Sequence, residues 1–177
     1  LLDLYHSPVP EIVLSDKRGR IEIRDSETGK FHRSRQISKE AITAPTAGDF
    51  RGEGRLDLAV VTRDRQLVFL DGATLEPLAE SAIQTEGSST FNVQPLTIPL
   101  KQEGLGTRDA VVIIDERGTV RCCYLNDALA VQTLWTAPCQ ASQYPASYGK
   151  VRSKDSADVV VAARKDIALI DAATGKT

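Results

Sequence analysis

Short runs of aliphatic and β-branched residues, separated by polar turns, occur along the whole chain. Residues 111–114 (Val-Val-Ile-Ile) form a continuous apolar run, which is typical of a strand buried on both faces. Residues 21–24 (Ile-Glu-Ile-Arg) alternate apolar and polar positions, which is typical of a strand with one wetter face. Residues 75–82 have the length of one or two helical turns, but Pro77 opposes a helix there. The pattern predicts an all-β protein.

Four segments share one plan of strand, polar turn, strand and second turn. Each opens with an acid, and the spacing between these acids is 46, 52 and 49 residues; they are Glu11, Asp57, Asp109 and Asp158. Blade repeats of β-propellers have a period of roughly 40–50 residues. The spacing therefore predicts four consecutive blade units, with approximate boundaries at residues 1–41, 42–90, 91–142 and 143–177.

Each unit is predicted to contain four antiparallel strands, as a propeller blade does. The opening run of each unit is a central strand, and these runs contain Val13, Val60, Ile113 and Val160. Before the central pair we expect an innermost strand at residues 2–5, 42–47, 93–98 and 144–148. After it we expect an outer strand at residues 31–37, 77–83 and 130–135.

The fourth unit reaches Thr177 just after the turn that begins at Asp171, so we expect its outer strand to be missing. The first unit has only a short innermost strand before Pro8 and Pro10. We therefore expect flanking sequence to continue the propeller to about six to eight blades. The alternative is that exposed strand edges pair with a second chain.

Residues 44–60 resemble the FG-GAP/VCBS propeller repeat, in which a small-residue strand is followed by Gly-Asp-Phe-Asn-Gly-Asp-Gly and Asp-Leu. Here the segment reads Ala-Pro-Thr-Ala-Gly-Asp-Phe-Arg-Gly-Glu-Gly-Arg-Leu-Asp-Leu-Ala-Val. The turns at residues 25–30 and 171–176 resemble the Asp-Ala-x-Thr-Gly-Lys turn of PQQ-like repeats. The resemblance implies a β-propeller and, for most such families, an extracellular, periplasmic or membrane-attached recognition module.

The same resemblance implies a calcium-type loop between Asp49 and Asp57. In the family pattern, side chains at loop positions 1, 3, 5 and 9 supply oxygen ligands. These positions are occupied by Asp49, Arg51, Glu53 and Asp57, and Gly54 stands at the sharp turn. Arg51 has no oxygen to donate and brings its own positive charge. We expect the loop to be free of metal and held by ion pairs of Arg51 or Arg55, with calcium as the alternative.

Composition and charge limit the classes of partner. The net charge is −2, with 22 basic and 24 acidic residues distributed in both signs, so no basic face for nucleic acid is predicted. The densest basic stretch, residues 30–39, is interpreted as a solvated outer strand, with a weak polyanion contact as the alternative. No segment has the roughly 20 apolar residues that a membrane span needs.

The three cysteines carry no metal-binding spacing. Cys122 and Cys123 are adjacent, and in a strand they point to opposite faces. We expect Cys122, Cys123 and Cys139 to be structural thiols. The alternative is one disulfide from Cys139 and one free thiol.

Catalytic residues are few. His6 and His32 are the only histidines, no nucleophile-elbow motif is present, and aromatic residues make up 5% of the chain. Trp135 is expected to pack between sheets, and Tyr144 and Tyr148 lie on a predicted innermost strand. We therefore expect a non-catalytic interaction or scaffold module without a cofactor, whose partner is a protein or a glycan. The alternative is a propeller domain of an enzyme, quinoprotein-like or lyase-like.

Overall fold

A computed structural model describes residues 2–5, 9–83, 93–100, 106–115, 117–141, 144–163 and 165–177. Throughout these ranges the regular structure is β, and no helix occurs in them. The strands form four antiparallel sheets, and each sheet lies within one of the four predicted units. We call the sheets blades one to four. The predicted all-β, four-sheet architecture is confirmed.

Strands that follow one another in sequence pair with one another in every blade. Val13, Val60, Ile113 and Val160 lie on the first, fifth, ninth and thirteenth strands, as predicted. The strands are β1 (Glu11–Ser15), β2 (Arg20–Asp25) and β3 (Phe31–Gln36) in blade one; β4 (Thr46–Gly48), β5 (Asp57–Val61), β6 (Gln66–Asp71) and β7 (Pro77–Ala82) in blade two; β8 (Leu96–Leu100), β9 (Arg108–Ile114), β10 (Thr119–Leu125) and β11 (Val131–Pro138) in blade three; β12 (Ser147–Gly149), β13 (Asp158–Ala162) and β14 (Ile167–Asp171) in blade four.

The innermost strands are shorter than predicted and begin later. In blade two the ladder covers only β4, and Ile42 makes an isolated bridge with Thr62. Pro45, which has no N–H to donate, stands between the bridge and the strand. In blade one the predicted innermost strand is reduced to an isolated bridge between Leu2 and Glu11.

Apolar contacts between neighbouring blades form the core. One cluster joins blades one and two through Ile21, Ile23, Leu58 and Val60. A second joins blades two and three, and a third joins blades three and four. Every residue of β5 is buried, because blade two has a neighbour on both faces. The continuous apolar runs of β5 and β9 thus correspond to strands in contact with two other blades.

The alignment of the repeats on their opening acids is wrong by one residue in blade three. Leu58 and Val60 point toward blade one, but Val111 and Ile113 point toward blade two. Successive side chains of a strand point to opposite faces of its sheet. Arg108, and not Asp109, therefore has the same orientation in blade three that Asp57 has in blade two. Asp109 instead faces blade two, where its Oδ2 accepts the Asp49 N–H at 2.8 Å.

Aspartates lead three equivalent turns at the ends of β2, β6 and β14. In each turn the Asp Oδ1 accepts bonds from the N–H and the hydroxyl of the threonine three residues later; the pairs are Asp25–Thr28, Asp71–Thr74 and Asp171–Thr174. The Thr28 N–H lowers the pKa of Asp25, and the Thr174 hydroxyl lowers the pKa of Asp171. Burial raises the pKa of Asp71, but the bonds from Thr74 and a nearby guanidinium outweigh burial and leave it lowered.

Trp135 packs between blades three and four, as predicted. Its side chain is buried among residues of both blades, and its Nε1 donates to the Ala172 carbonyl at 2.9 Å. Gly175 passes directly beneath the indole, with φ of 72°. A Cβ at this position would lie 2.8 Å from the Trp135 side chain, which is closer than carbon atoms approach. The turn therefore requires glycine for two independent reasons.

We expect Gly175→Ala to destabilise the chain more than Gly29→Ala. Gly29 occupies the equivalent position of the blade-one turn, with φ of 67°, but no atom lies within 4 Å of its added Cβ. Gly29→Ala should cost about 1 kcal/mol of unfolding free energy from backbone strain alone. Gly175→Ala should cost about 1–3 kcal/mol more, as overpacking does. Urea unfolding followed by Trp135 fluorescence measures both, and equal costs would show that the indole contact is unimportant.

The Asp-led turns should make stability fall at acidic pH. Because the folded-state pKa of these carboxyls is lowered, their contribution to stability is complete above the unfolded-state pKa of about 3.9. That contribution is lost as the pH falls through the folded-state pKa. We expect Asp25→Asn/Asp171→Asn to lose less unfolding free energy than the parent chain between pH 4 and pH 2. Asp166→Asn, an exposed aspartate outside these turns, is the control. Identical acid dependence in the parent and the double variant would contradict this assignment.

Candidate functional site

The loop between β4 and β5 contains the predicted calcium-type residues. Gly52 and Gly54 have φ of 72° and 75°, values that favour glycine and allow the tight turn. The Asp49 carboxylate accepts the Glu53 N–H at 2.9 Å and the Gly54 N–H at 2.8 Å. The first acid of the motif therefore caps the backbone of its own loop.

Arg51 occupies the centre of the loop. Its Nε and Nη2 donate to the two carboxylate oxygens of Asp57 at 3.0 and 2.6 Å, and Nη2 also donates to Asp71 at 2.8 Å. The Asp57 side chain has no exposed surface, and that of Arg51 is only 13% exposed. One guanidinium thus joins the starts of β5 and of the Asp71 turn in a buried, bidentate ion pair.

Charges in the loop are balanced locally. Burial raises the pKa of Asp57, and the ion pair with Arg51 opposes that rise. Glu53 accepts from Arg55 at 2.5 Å and lies 3.7 Å from the Arg51 guanidinium. The bond from Arg55, followed by the charge of Arg51, lowers the pKa of Glu53. Each acid of the motif therefore faces a cationic or N–H donor.

This donor set does not fit a calcium ion. The ligand positions of the family pattern contain a guanidinium, and the acids around it are bonded to N–H groups. In the part of the chain that the structure describes, no group of three or more acidic, histidine or cysteine side chains is arranged to hold a metal ion. Arg51 lies among the acids as expected, and the absence of calcium binding stays a prediction.

A second clamp of the same kind lies in blade four, where the sequence motif is not recognisable. Arg152 Nε donates to Asp158 Oδ1 at 2.7 Å, and the Val151 and Arg152 N–H groups donate to Oδ2. These N–H groups and the guanidinium lower the pKa of Asp158. The spacing could have revealed this clamp, because in both blades an arginine three residues after the glycine of the innermost strand precedes the aspartate by six residues.

The histidines and cysteines considered as candidate chemical groups lie in structural or isolated positions. His32 is exposed on β3 and makes an edge contact with Tyr5, whereas His6 lies outside the described residues. All three cysteines are free thiols, and Cys122 and Cys123 face different inter-blade cores, as predicted. Burial raises the pKa of each of these thiols. They are therefore poor nucleophiles near neutral pH.

The predicted innermost-strand tyrosines lie in different environments. Tyr144 precedes β12 and is 67% exposed, while Tyr148 lies on β12, partly buried against the core between blades three and four. The same region contains a pocket of about 440 Å³ between blades three and four. No helix in the described ranges is long and apolar enough to cross a membrane.

Comparisons with solved structures define the class of fold. The chain is similar to BamB from Moraxella catarrhalis (16% identity, TM-score 0.59), covering 94% of this chain and 48% of that one. It is similar to Sqt1 from Saccharomyces cerevisiae (12% identity, TM-score 0.64), covering 96% of this chain and 44% of that one. It is also similar to BBS1N in complex with ARL6DN (15% identity, TM-score 0.63), covering 98% of this chain and 52% of that one. These neighbours are β-propeller proteins, and the chain has a propeller-type fold that spans about half of their length.

No family model matches the chain. No curated protein matches it either. The resemblance to FG-GAP/VCBS and PQQ-like repeats therefore stays an expectation.

We expect Arg51→Asn to destabilise the chain by about 3–5 kcal/mol, because Asp57 would stay buried without its counter-charge. Arg55→Asn, which removes only an exposed ion pair with Glu53, should cost less than about 1 kcal/mol of unfolding free energy, measured by urea unfolding.

Calcium should leave the melting temperature of the parent chain unchanged and raise that of Arg51→Asn, where an amide oxygen replaces the guanidinium. A large calcium-dependent rise in the parent chain, reversed by chelator, would show that the loop binds the metal.

Proposed function

We propose that the chain is a non-catalytic β-propeller module that binds a protein partner. The observation that carries this proposal is an uncovered apolar sheet surface, the outward face of blade four, formed by Val160, Ala162, Ile167 and Leu169. Ile167 is 70% exposed, and the other three are partly exposed. A contiguous apolar surface of this kind is typical of a protein interaction site.

The equivalent face of blade two is covered by a neighbouring blade. Its cross-strand pairs Ala59–Phe69 and Val61–Leu67 correspond to Val160–Leu169 and Ala162–Ile167 in blade four. In blade two these four residues are at most 1% exposed, because blade three covers them. The outward face of blade four therefore has the composition of a blade contact, and no blade of the described ranges covers it.

The edge of the same sheet supports a protein partner. β14 is the last strand in the order β12-β13-β14, so its second edge has no ladder partner within the described ranges. An apolar face next to an open edge suits a partner that brings its own β-strand or sheet. Among the similar structures, BBS1N was solved in complex with another protein, ARL6DN. The alternative of pairing with further blades or a second chain uses the same surface.

The site chemistry favours binding over catalysis. The acids of the β4–β5 loop are held by guanidinium and N–H donors, and the thiols of Cys122 and Cys123 are buried. A catalytic acid or base must be within reach of a substrate proton, and these bonds leave the loop carboxylates committed to the fold. A glycan partner has one observation in its favour, which is the exposed ring of Tyr144.

Site-specific photocross-linking tests the proposal. A benzoylphenylalanine at position 167 should form a discrete adduct with a second protein in the cells that produce this chain. The matched control is position 31, where Phe31 is 49% exposed on the outer strand of blade one. Cross-links from position 167 only to the same chain, or no discrete adduct, would contradict the proposal. A carbohydrate adduct from position 144 alone would favour the glycan alternative.

A further inference from the structure

The pocket between blades three and four lies where the earlier blade contact is closed by an apolar side chain. Within the contact of blades one and two, Leu4 is 5% exposed and its Cδ2 lies 3.1 Å from the position of a Cβ on Gly72. The ladder register makes Ala172 and Ala157 of blade four the counterparts of Gly72 and Leu56. Both alanines line the pocket.

The residue that closes each contact occupies a fixed place in the repeat. Leu4 stands two residues after Leu2, which pairs with Glu11, and Phe50 stands two residues after Gly48, which pairs with Asp57. Phe50 is fully buried between blades two and three. In blade three the residue opposite Arg108 is Leu100, and two positions later the sequence has a glutamine, outside the described residues. The sequence of blade three therefore has a polar residue at the place where blades one and two have an apolar one.

The walls of the pocket have the chemistry of the contact that it interrupts. Leu100, Leu134, Tyr148 and Ala172 line it and belong to, or pack against, the core between blades three and four. Its volume of about 440 Å³ lies within the roughly 300–1,000 Å³ of typical ligand sites. Lys150 and Asp155 also line it, and they supply one charge of each sign.

We propose that this pocket binds a leucine or phenylalanine side chain of an extended segment of a partner protein. The inserted side chain takes the place that Leu4 and Phe50 fill in the other two contacts, and Lys150 and Asp155 pair with polar groups of the segment. Small residues at the bottom, Ala157 and Ala172, leave the room that Leu56 partly fills in blade two. This inference rests on the proposed protein-binding function and names the chemistry that the partner presents.

The single tryptophan provides a direct readout of the pocket. Trp135 is the only tryptophan in the chain, and its indole N–H is bonded to the carbonyl of Ala172. A ligand against Ala172 should therefore shift the one indole signal in a ¹H–¹⁵N spectrum. The probes are three blocked pentapeptides with leucine, phenylalanine or alanine between glycine and serine residues.

We expect the leucine and phenylalanine peptides to shift the indole signal saturably. The alanine peptide should bind at least about tenfold more weakly than either. Ala157→Leu, which installs the residue of blade two, should abolish the shift and raise the melting temperature. Ala173→Leu, at the exposed rim of the pocket, is the second variant if the first does not fold. Ala82→Leu on β7, which lies outside this pocket, is the control and should bind as the parent chain does.

Equal shifts with all three peptides, no shift with any, or unchanged binding in the filled variants would overturn the pocket assignment. The photocross-link from position 167 reports on the opposite face of blade four. A positive cross-link with negative peptides would therefore reject the pocket alone, and the reverse result would reject only the outward face.

Discussion

The fold depends on one constraint, which is that a blade in the interior of the series must be apolar on both faces. Blade two satisfies it, since every residue of β5 is buried between blades one and three. Burying an aliphatic side chain fully contributes about 1.5–3 kcal/mol, whereas an exposed ion pair contributes about 0–1 kcal/mol. The charges on the rims of the blades are therefore secondary to the contacts between the faces. By the same comparison, the exposed apolar side chains on the outward face of blade four, such as Ile167, forgo the stabilisation that burial gives their counterparts in blade two.

The arginine clamps solve a problem that the apolar faces create. An aspartate at the start of the central strand bonds to the backbone of the adjacent loops, and in blade two it becomes completely buried. A buried carboxylate needs a cation or several N–H donors. In blade two the chain itself supplies this cation, since the Arg51 guanidinium bonds both oxygens of the Asp57 carboxylate. Blade four solves the same problem with Arg152 and two backbone N–H groups.

Much of the fold could be predicted from sequence, because strand and turn signals are local. The central strands, the Asp-led turns and the place of Trp135 follow from residues close in the chain. Arg51 could be placed among the acids because the other positions of the motif are recognisable around it. The counterpart of Asp57 in blade three could not, since matching acid to acid ignores the direction in which side chains point. Arg152 was missed because the blade-four loop keeps the spacing of the clamp but not the motif.

The pocket and the outward face both involve blade four, and the packing explains this concentration. Blade two is covered on both sides, so a small residue or a polar residue in its contacts would leave a cavity or an unsatisfied group. Blade four, like blade one, has three strands in the described ranges and one face that no other blade covers there, so changes on that face cost less of the shared core. Elements with fewer buried contacts also open at lower free energy, which suits a surface that has to accept a partner. A blade with one uncovered face, such as blade four, is thus better able to accept a partner than a blade that is covered on both sides.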